Sequence, residues 1–340
     1  MSFNEGGASP RLDLLWRRGS CRLHLALIVL GLFIVAAPGQ EYPSRPIRII
    51  IPYGPGGVVD VSARIVAENL GNVLGQPIVV ESRSGASGML GAGVVAKAPA
   101  DGYTLLLCPG DVFTIASLKP HGDIDVGRQL LPIAMINGNP LLVVANAKAP
   151  FDTVREMVET AKASPRPLEY GIPGRGTLND IIGRWLALEA GIKLQQIPYQ
   201  GGAQGANGVA AGQIPLGIFS PPPVYPGLID AGQIKVLALT TKNRPPFLPS
   251  TWPTLIESGL PIDALNWQGL FAPTGTPDAI VARLDRALEQ ALQDESIARR
   301  MNVFGMSPQF MPQTPFLEQI RSDAARYARI IKEAGITIEH

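Results

Sequence analysis

The chain has 340 residues, 46% of them hydrophobic and 17% charged, with a formal net charge of +1. Those proportions exclude a disordered chain, the near-neutral charge gives no footing for nucleic acid, and the length favours two domains over one core. With 37 Gly and 32 Pro, connections are expected to be many and short.

Taken in chain order, the first feature is a leader. Arg11, Arg17, Arg18 and Arg22 precede an apolar stretch over 23–37 that ends in Val35, Ala36 and Ala37 and is followed by Pro38-Gly39. A basic region, a short apolar core and a small-residue end make a secretory signal, and the apolar core is shorter than a spanning helix needs. The prediction is a signal peptide over 1–39, removed on export. Cys21 lies within it, so Cys108 is the only cysteine of the mature chain, and an intrachain disulfide is excluded. The run "TLLLCPG" places Cys108 at the end of a buried strand, as a small hydrophobe.

From residue 47 onward, short apolar runs alternate with helical patterns, which predicts parallel α/β layers. Strands are expected over 47–52, 77–81, 104–108, 141–145, 168–171, 196–199, 215–219, 235–240 and 269–272. Helices are expected over 58–73, 89–97, 153–163, 179–190 and 205–211, followed by two long ones starting at Thr276-Pro277 and Thr314-Pro315. The stretch 242–261 reads as a long irregular connection. A boundary near Pro140 and a return near Trp267 divide the mature chain into 42–141 plus 266–340 and an inserted 142–265.

Glycines gather where strands give way to helices. "IRIIIPYGPGGVVDVSARIVAENL" places Gly54, Gly56 and Gly57 at the first such junction, with Asp60 three residues further on. "ESRSGASGMLGAG" and "GIPGRGTLND" repeat the arrangement, and "IPYQGGAQG" is a weaker fourth case. At a helix start the first N–H groups have no intrahelical partner and the dipole favours an anion; glycine lets a ligand approach that backbone. A plain tight turn, with Asp60 favouring the positive end of the dipole, also accounts for any single junction. Three of them favour convergence on one ligand at the carboxyl ends of the strands.

Other chemistries find less support. No Gly-Lys-Ser/Thr follows the loops, so the phosphate-cradling loop is missing. "GAGVVA" over 91–96 has dinucleotide spacing, with Asp111 where a ribose-binding acid belongs, yet Gly91 falls inside a helix, where Gly91 and Gly93 read as close packing. The mature histidines are His121 and His340, no spacing suggests a metal, and no Gly-x-Ser-x-Gly elbow is present. Asp123 and Asp125 beside His121 read as a solvated turn. Binding without chemistry, with no catalytic residue, metal or cofactor, is the expectation.

The segments "YPSRPIRIIIPYGPGGVVDVSAR", "GQPIVVESRSGASG", "VAKAPADGYTLLL", "YGIPGRGT", "IPYQGGAQG" and "WQGLFAPTGTPDAIVARL", in order over nearly the whole mature chain, resemble the extracytoplasmic solute receptors of tripartite tricarboxylate transporters, the Bug proteins. The resemblance implies a type II periplasmic binding protein: two α/β lobes joined by two crossing strands, with a ligand cleft between them. It implies a small carboxylate ligand, the membrane subunits of such a transporter as partners, and a monomer. In that family the ligand carboxylate is held by backbone N–H groups and waters at the first and third junctions. Carried over, this points to Tyr53, Gly56, Gly57, Val58 and Asp60, with Gly174, Gly176 and Thr177 opposite, and to Ser87 and Tyr199 at the flanking junctions. An anionic Asp60 is assigned to ordering the loop or a water. An exported enzyme or a ligand sensor using the same cleft is the alternative.

The chain departs from the family at several positions. Ser82-Arg83-Ser84-Gly85 stands for the common Asn-Arg-Pro-Gly, Asp180 for a frequent His and Gln200 for a frequent Lys. Phe219-Ser220 replaces a Phe-Asp of the second lobe, and the missing acid favours a non-amino organic acid.

Overall fold

A computed structural model describes residues 41–118, 124–221 and 225–335, so the leader over 1–39 and the turn at His121 and Asp123 lie outside the described residues. Residues 45–340 group as one unit, and it is built on two sheets. The chain enters through β1 (Ile47–Ile51), α1 (Val58–Leu74), β2 (Ile78–Ser82), a single turn over Ala86–Gly88, α2 (Met89–Ala96), β3 (Thr104–Pro109), α3 (Asp111–Leu118), α4 (Val126–Gln129) and β4 (Leu130–Pro140). After Leu141 it passes to the second sheet: β5 (Leu142–Asn146), α5 (Val154–Ala163), β6 (Leu168–Ile172), α6 (Leu178–Ala190), β7 (Leu194–Pro198), α7 (Gly202–Ala210), β8 (Leu216–Phe219), α8 (Tyr225–Asp230) and β9 (Ile234–Leu239). It then returns through β10 (Leu265–Pro273), α9 (Asp278–Leu292), α10 (Glu295–Asn302), β11 (Ser307–Pro312) and α11 (Gln313–Glu333). The expected two-sheet α/β architecture is present, and the irregular connection before β10 is found as read, pinned by buried Leu255, Leu260 and Ile262.

The two sheets repeat one plan. The first runs β11-β4-β10-β3-β1-β2 and the second β7-β6-β8-β5-β9. In each, three parallel strands (β2-β1-β3 and β7-β6-β8) are flanked by an antiparallel strand, β10 beside β3 and β5 beside β8. The order 2-1-3 reverses direction at the central strand, and the crevice beyond the carboxyl end of that strand is where such sheets take ligands. The glycine junctions after β1 and β6 occupy that position in their respective sheets. Gly183 keeps α6 close to β6, because a Cβ there would fall 2.2 Å from the Tyr170 ring.

Two strands escape the sequence reading for a physical reason. β4, "LLPIAMINGNP", carries Pro132 and Pro140 yet pairs with both β10 and β11; its register against β10 shifts between the Phe271–Pro132 and Leu270–Ala134 pairs, so the proline sits at an irregularity that needs no ladder N–H. β11 tolerates Pro308 and Pro312 because it is an edge. Helix starts are also corrected. Thr276 does not cap α9: its hydroxyl donates back to the Pro273 carbonyl at 2.8 Å, and Pro277 is the cap residue. Likewise Pro312 is the cap residue of α11, two residues earlier than Thr314-Pro315 implied. The last turns of α11 join the core of the second sheet, with Tyr327, Ile330 and Ile331 packed among Ile181, Trp185 and Ile262.

Candidate functional site

The first junction is set by backbone conformation. Gly56 has φ +81°, which a side chain would strain, while the cap residue Gly57 sits at φ −78°, ψ 170° with no side chain capping α1. The Gly57 carbonyl takes its first helical bond from Val61, so the N–H groups of Val58, Val59 and Asp60 precede the intrahelical ladder. Asp60 is turned back into its own loop. Its carboxylate accepts from the Gly56 N–H at 2.9 Å and pairs with Arg64 at 2.9 Å. Burial alone would raise its pKa, but the Arg64 guanidinium and the Gly56 amide outweigh this and hold it below the usual carboxylate range.

The junction after β6 reproduces this arrangement residue for residue. Gly176 has φ +73°, the cap residue Thr177 sits at φ −71°, ψ 163°, and the Gly176 N–H reaches Asp180 at 2.9 Å. Arg184 pairs with Asp180 at 2.9 Å, as Arg64 does with Asp60. Asp180, standing where a histidine was expected, is therefore the structural counterpart of Asp60. The Thr177 hydroxyl donates to the Gly174 carbonyl at 2.7 Å, holding the turn closed behind the helix start. The Gln200 N–H reaches the Gln204 carboxamide at 2.8 Å by the same local logic, with a neutral brace. Both aspartates leave the first-turn amides of their helices uncapped while fixing the turn that precedes them. In consequence the Gly56 and Gly176 amides are engaged within the protein, and these glycines shape the turns.

The flanking positions divide. Tyr53 ends the β1 turn, and its hydroxyl donates to Asp111 at 3.0 Å at the start of α3. Ser87 lies in the turn over Ala86–Gly88, beside Gly88, whose Cβ position lies 3.5 Å from the Tyr53 hydroxyl. The carboxyl ends of β1, β2 and β3 thus meet around Tyr53. Tyr199 turns the other way: its ring lies against Gly171 and Gly208 in the core of the second sheet, and its N–H donates to the Ile172 carbonyl. Its part in the junction is to carry the turn at Gln200–Gly202.

Asp111 is the functional candidate that the sequence reading set aside. Gly91 and Gly93 do pack closely, their Cβ positions falling 2.9 Å from Arg83 and 2.3 Å from Ile124. Asp111 itself, however, sits at the topological switch between β1 and β3. Burial pushes its carboxyl up to about 6, against the lowering exerted by the Tyr53 hydroxyl and the Val112 amide. Cys108 is fully buried, and burial with the nearby Asp111 pushes its thiol up, away from reactivity. A carboxyl raised above its unfolded value of about 3.9 favours folding below pH 4 and loses that contribution as pH climbs through 6. The difference is worth about 3 kcal/mol at most. Asp111→Asn, neutral throughout, is therefore expected to raise the melting temperature by a few degrees at pH 8 and to bring no gain at pH 4, which melting curves at the two pH values check.

Among the described residues, no group of three or more His, Cys, Asp or Glu is placed to hold a metal ion, and no helix is long and apolar enough to cross a membrane. What the site offers chemically is donors: two helix N-termini with free first-turn amides, braced alike, one from each sheet.

Residues 62–336 match the profile of the tripartite tricarboxylate transporter family receptor. Protein BugT of Bordetella pertussis is 32% identical over 322 residues, which cover 92% of this chain and 98% of BugT. Rpa4515 of R. palustris, solved with adipate, superposes with a TM-score of 0.75 at 30% identity, covering 87% of this chain and 99% of that one. MatC of Rhodopseudomonas palustris, solved with bound malate, gives a TM-score of 0.71 at 25% identity, covering 85% and 100%.

Proposed function

The chain belongs to the tripartite tricarboxylate transporter receptor family, and from that premise we propose that it captures a small organic carboxylate between its two sheets and delivers it to the membrane subunits of a transporter of that type. The observation that carries the reading is the matched pair of uncapped helix starts, Gly57–Asp60 and Thr177–Asp180, each with an aspartate turned back into its own loop. Charge-assisted bonds from such amides are the strong kind, and they need no cationic side chain. The solved relatives that hold adipate and malate support a carboxylate as the ligand class.

In this reading the amides of Gly57 and Val58 face those around Thr177 across the ligand, with Gly174 and Ser87 bordering it. Tyr53, Gly56, Asp60 and Gly176 position the turns. Residues 42–141 with 266–340 form one lobe and 142–265 the other, hinging at the two crossings, and the protein works as a monomer in the periplasm after loss of 1–39. It leaves its ligand unchanged, which separates it from an exported enzyme using the same cleft.

A thermal-shift screen of mono-, di- and tricarboxylates on the exported protein tests this. At least one acid is expected to raise the melting temperature by several degrees at saturation and to be recovered intact by mass spectrometry. A screen without a single shift, or an acid consumed on incubation, contradicts the proposal.

A further inference from the structure

A small cavity lies against the start of α6. It is bordered by Asp111 and Thr114 of α3, Leu178 as the first residue of α6, Asn266 of β10, and Asp323 and Tyr327 of α11. Its volume is about 10 Å³, room for one water-sized group.

Most polar groups around it are already committed. The Asp323 oxygens accept from Trp267 Nε1 and Gln319 Nε2, each at 2.9 Å, with Arg326 at 3.7 Å. Asn266 Nδ2 donates to the Ser220 hydroxyl at 3.0 Å, and the Thr114 hydroxyl to the Gly110 carbonyl at 3.3 Å. Two further groups, one at each side of the cavity, have capacity left. Asp111 receives the Tyr53 hydroxyl and the Val112 amide, and a carboxylate has about four lone-pair sites. The Tyr327 hydroxyl is buried and makes no hydrogen bond. A buried hydroxyl without a partner is costly, which points to a group that arrives from outside.

We propose that Asp111 is a specificity-determining residue: the cavity takes one hydrogen-bond donor, a hydroxyl or an ammonium, carried on the carbon next to the bound carboxylate. Asp111 accepts from that donor, and Tyr327 pairs with the same atom. The volume admits a single heavy atom, and contact with Leu178 places it beside the amides that hold the carboxylate, which defines a 2-hydroxy or 2-amino acid. Ser220 follows Phe219 where the resembled family has an acid; the acid that borders this cavity comes from the first sheet instead. The inference rests on the receptor reading and deepens it.

Calorimetric titration of the exported protein with succinate, malate and aspartate, and with glutarate, 2-hydroxyglutarate and glutamate, tests it. Within each trio the chain is constant and the substituent is hydrogen, hydroxyl or ammonium. At least one substituted acid is expected to bind ten times or more tighter than its unsubstituted parent. Asp111→Asn should remove most of that preference, the ammonium acids losing more than the hydroxy acids. Wild-type protein supplies a second readout independent of the variant's folding: the preference should shrink between pH 8 and pH 5 as Asp111 takes up a proton, with Asp323, Tyr327, Tyr53 and Cys108 the other titratable groups around it. Succinate and glutarate binding as tightly as their substituted partners, or a preference that survives Asp111→Asn and low pH, overturns this inference and leaves the receptor reading intact. Binding of none of the six overturns it as well, while the screen of mono-, di- and tricarboxylates decides the receptor reading separately.

Discussion

A Gly57→Val variant is expected to melt within about 4 °C of the wild type and to bind its carboxylate at least about 100-fold more weakly. Folding is spared because Gly57 sits at φ −78°, ψ 170°, extended backbone that a β-branched residue adopts readily. The twin junction demonstrates this with Thr177 at φ −71°, ψ 163°. A Cβ at Gly57 meets only the Gly54 carbonyl, at 3.6 Å, an ordinary contact. Valine is a poorer cap residue than glycine by about 1 kcal/mol, partly offset by the freedom glycine loses on folding. Binding is not spared. Two isopropyl methyls beside the first-turn amides displace the anion from donors worth about 1.5–3 kcal/mol each. Calorimetry with the acid identified by screening, alongside a melting curve, separates the two effects. Unchanged affinity in a folded variant returns this junction to an ordinary strand-to-helix turn.

The largest effect on stability is expected at Asp180. It is 1% exposed, and it accepts from the Gly176 amide at 2.9 Å, the Tyr170 hydroxyl at 3.3 Å and Arg184 at 2.9 Å. Asp180→Ala removes all three bonds at once, orphaning the Gly176 amide and the Arg184 guanidinium and leaving the Tyr170 hydroxyl only the backbone carbonyl of residue 180, at 3.4 Å. Arg184 keeps only 23% of its side chain in solvent, so its charge cannot return fully to water. Breaking such a pair costs about 3–5 kcal/mol, a fall on the order of 10 °C in melting temperature. At the twin site Arg64 is 56% exposed and regains water when its partner is removed, so Asp60→Ala is expected to cost about 1–2 kcal/mol. Chemical denaturation of both variants checks the order. Equal losses contradict the assignment of Asp180 as the buried member of the pair.

The glycine junctions were legible in the sequence because a strand end, a glycine and a helix start are local features, and local backbone chemistry selects the residues. The same holds for Cys108, which closes β3 in full burial. β4 was not legible, since Pro132 and Gly138 disguise a strand whose pairing tolerates them only through its register shift. The twinning of the two junctions was hidden by the exchanges of Pro55 for Arg175 and Gly57 for Thr177; what they share is a pair of backbone angles and one bond from an amide to an aspartate. Asp111 looked like the end of a failed nucleotide motif. Its role depends on Tyr53, 58 positions earlier, and on Tyr327 of the last helix, neighbours that only the tertiary fold supplies.

The central claim is that one carboxylate is gripped from both sheets by amides at twin helix starts. A crystal structure of the exported protein with the acid that most raises its melting temperature tests this most directly. The account predicts carboxylate oxygens within hydrogen-bond distance, about 2.7–3.2 Å, of amides in both the 57–60 and 177–180 segments, directly or through one water, with Asp60 and Asp180 still turned into their own loops. An acid bound away from these helix starts, or held by only one of them, contradicts it.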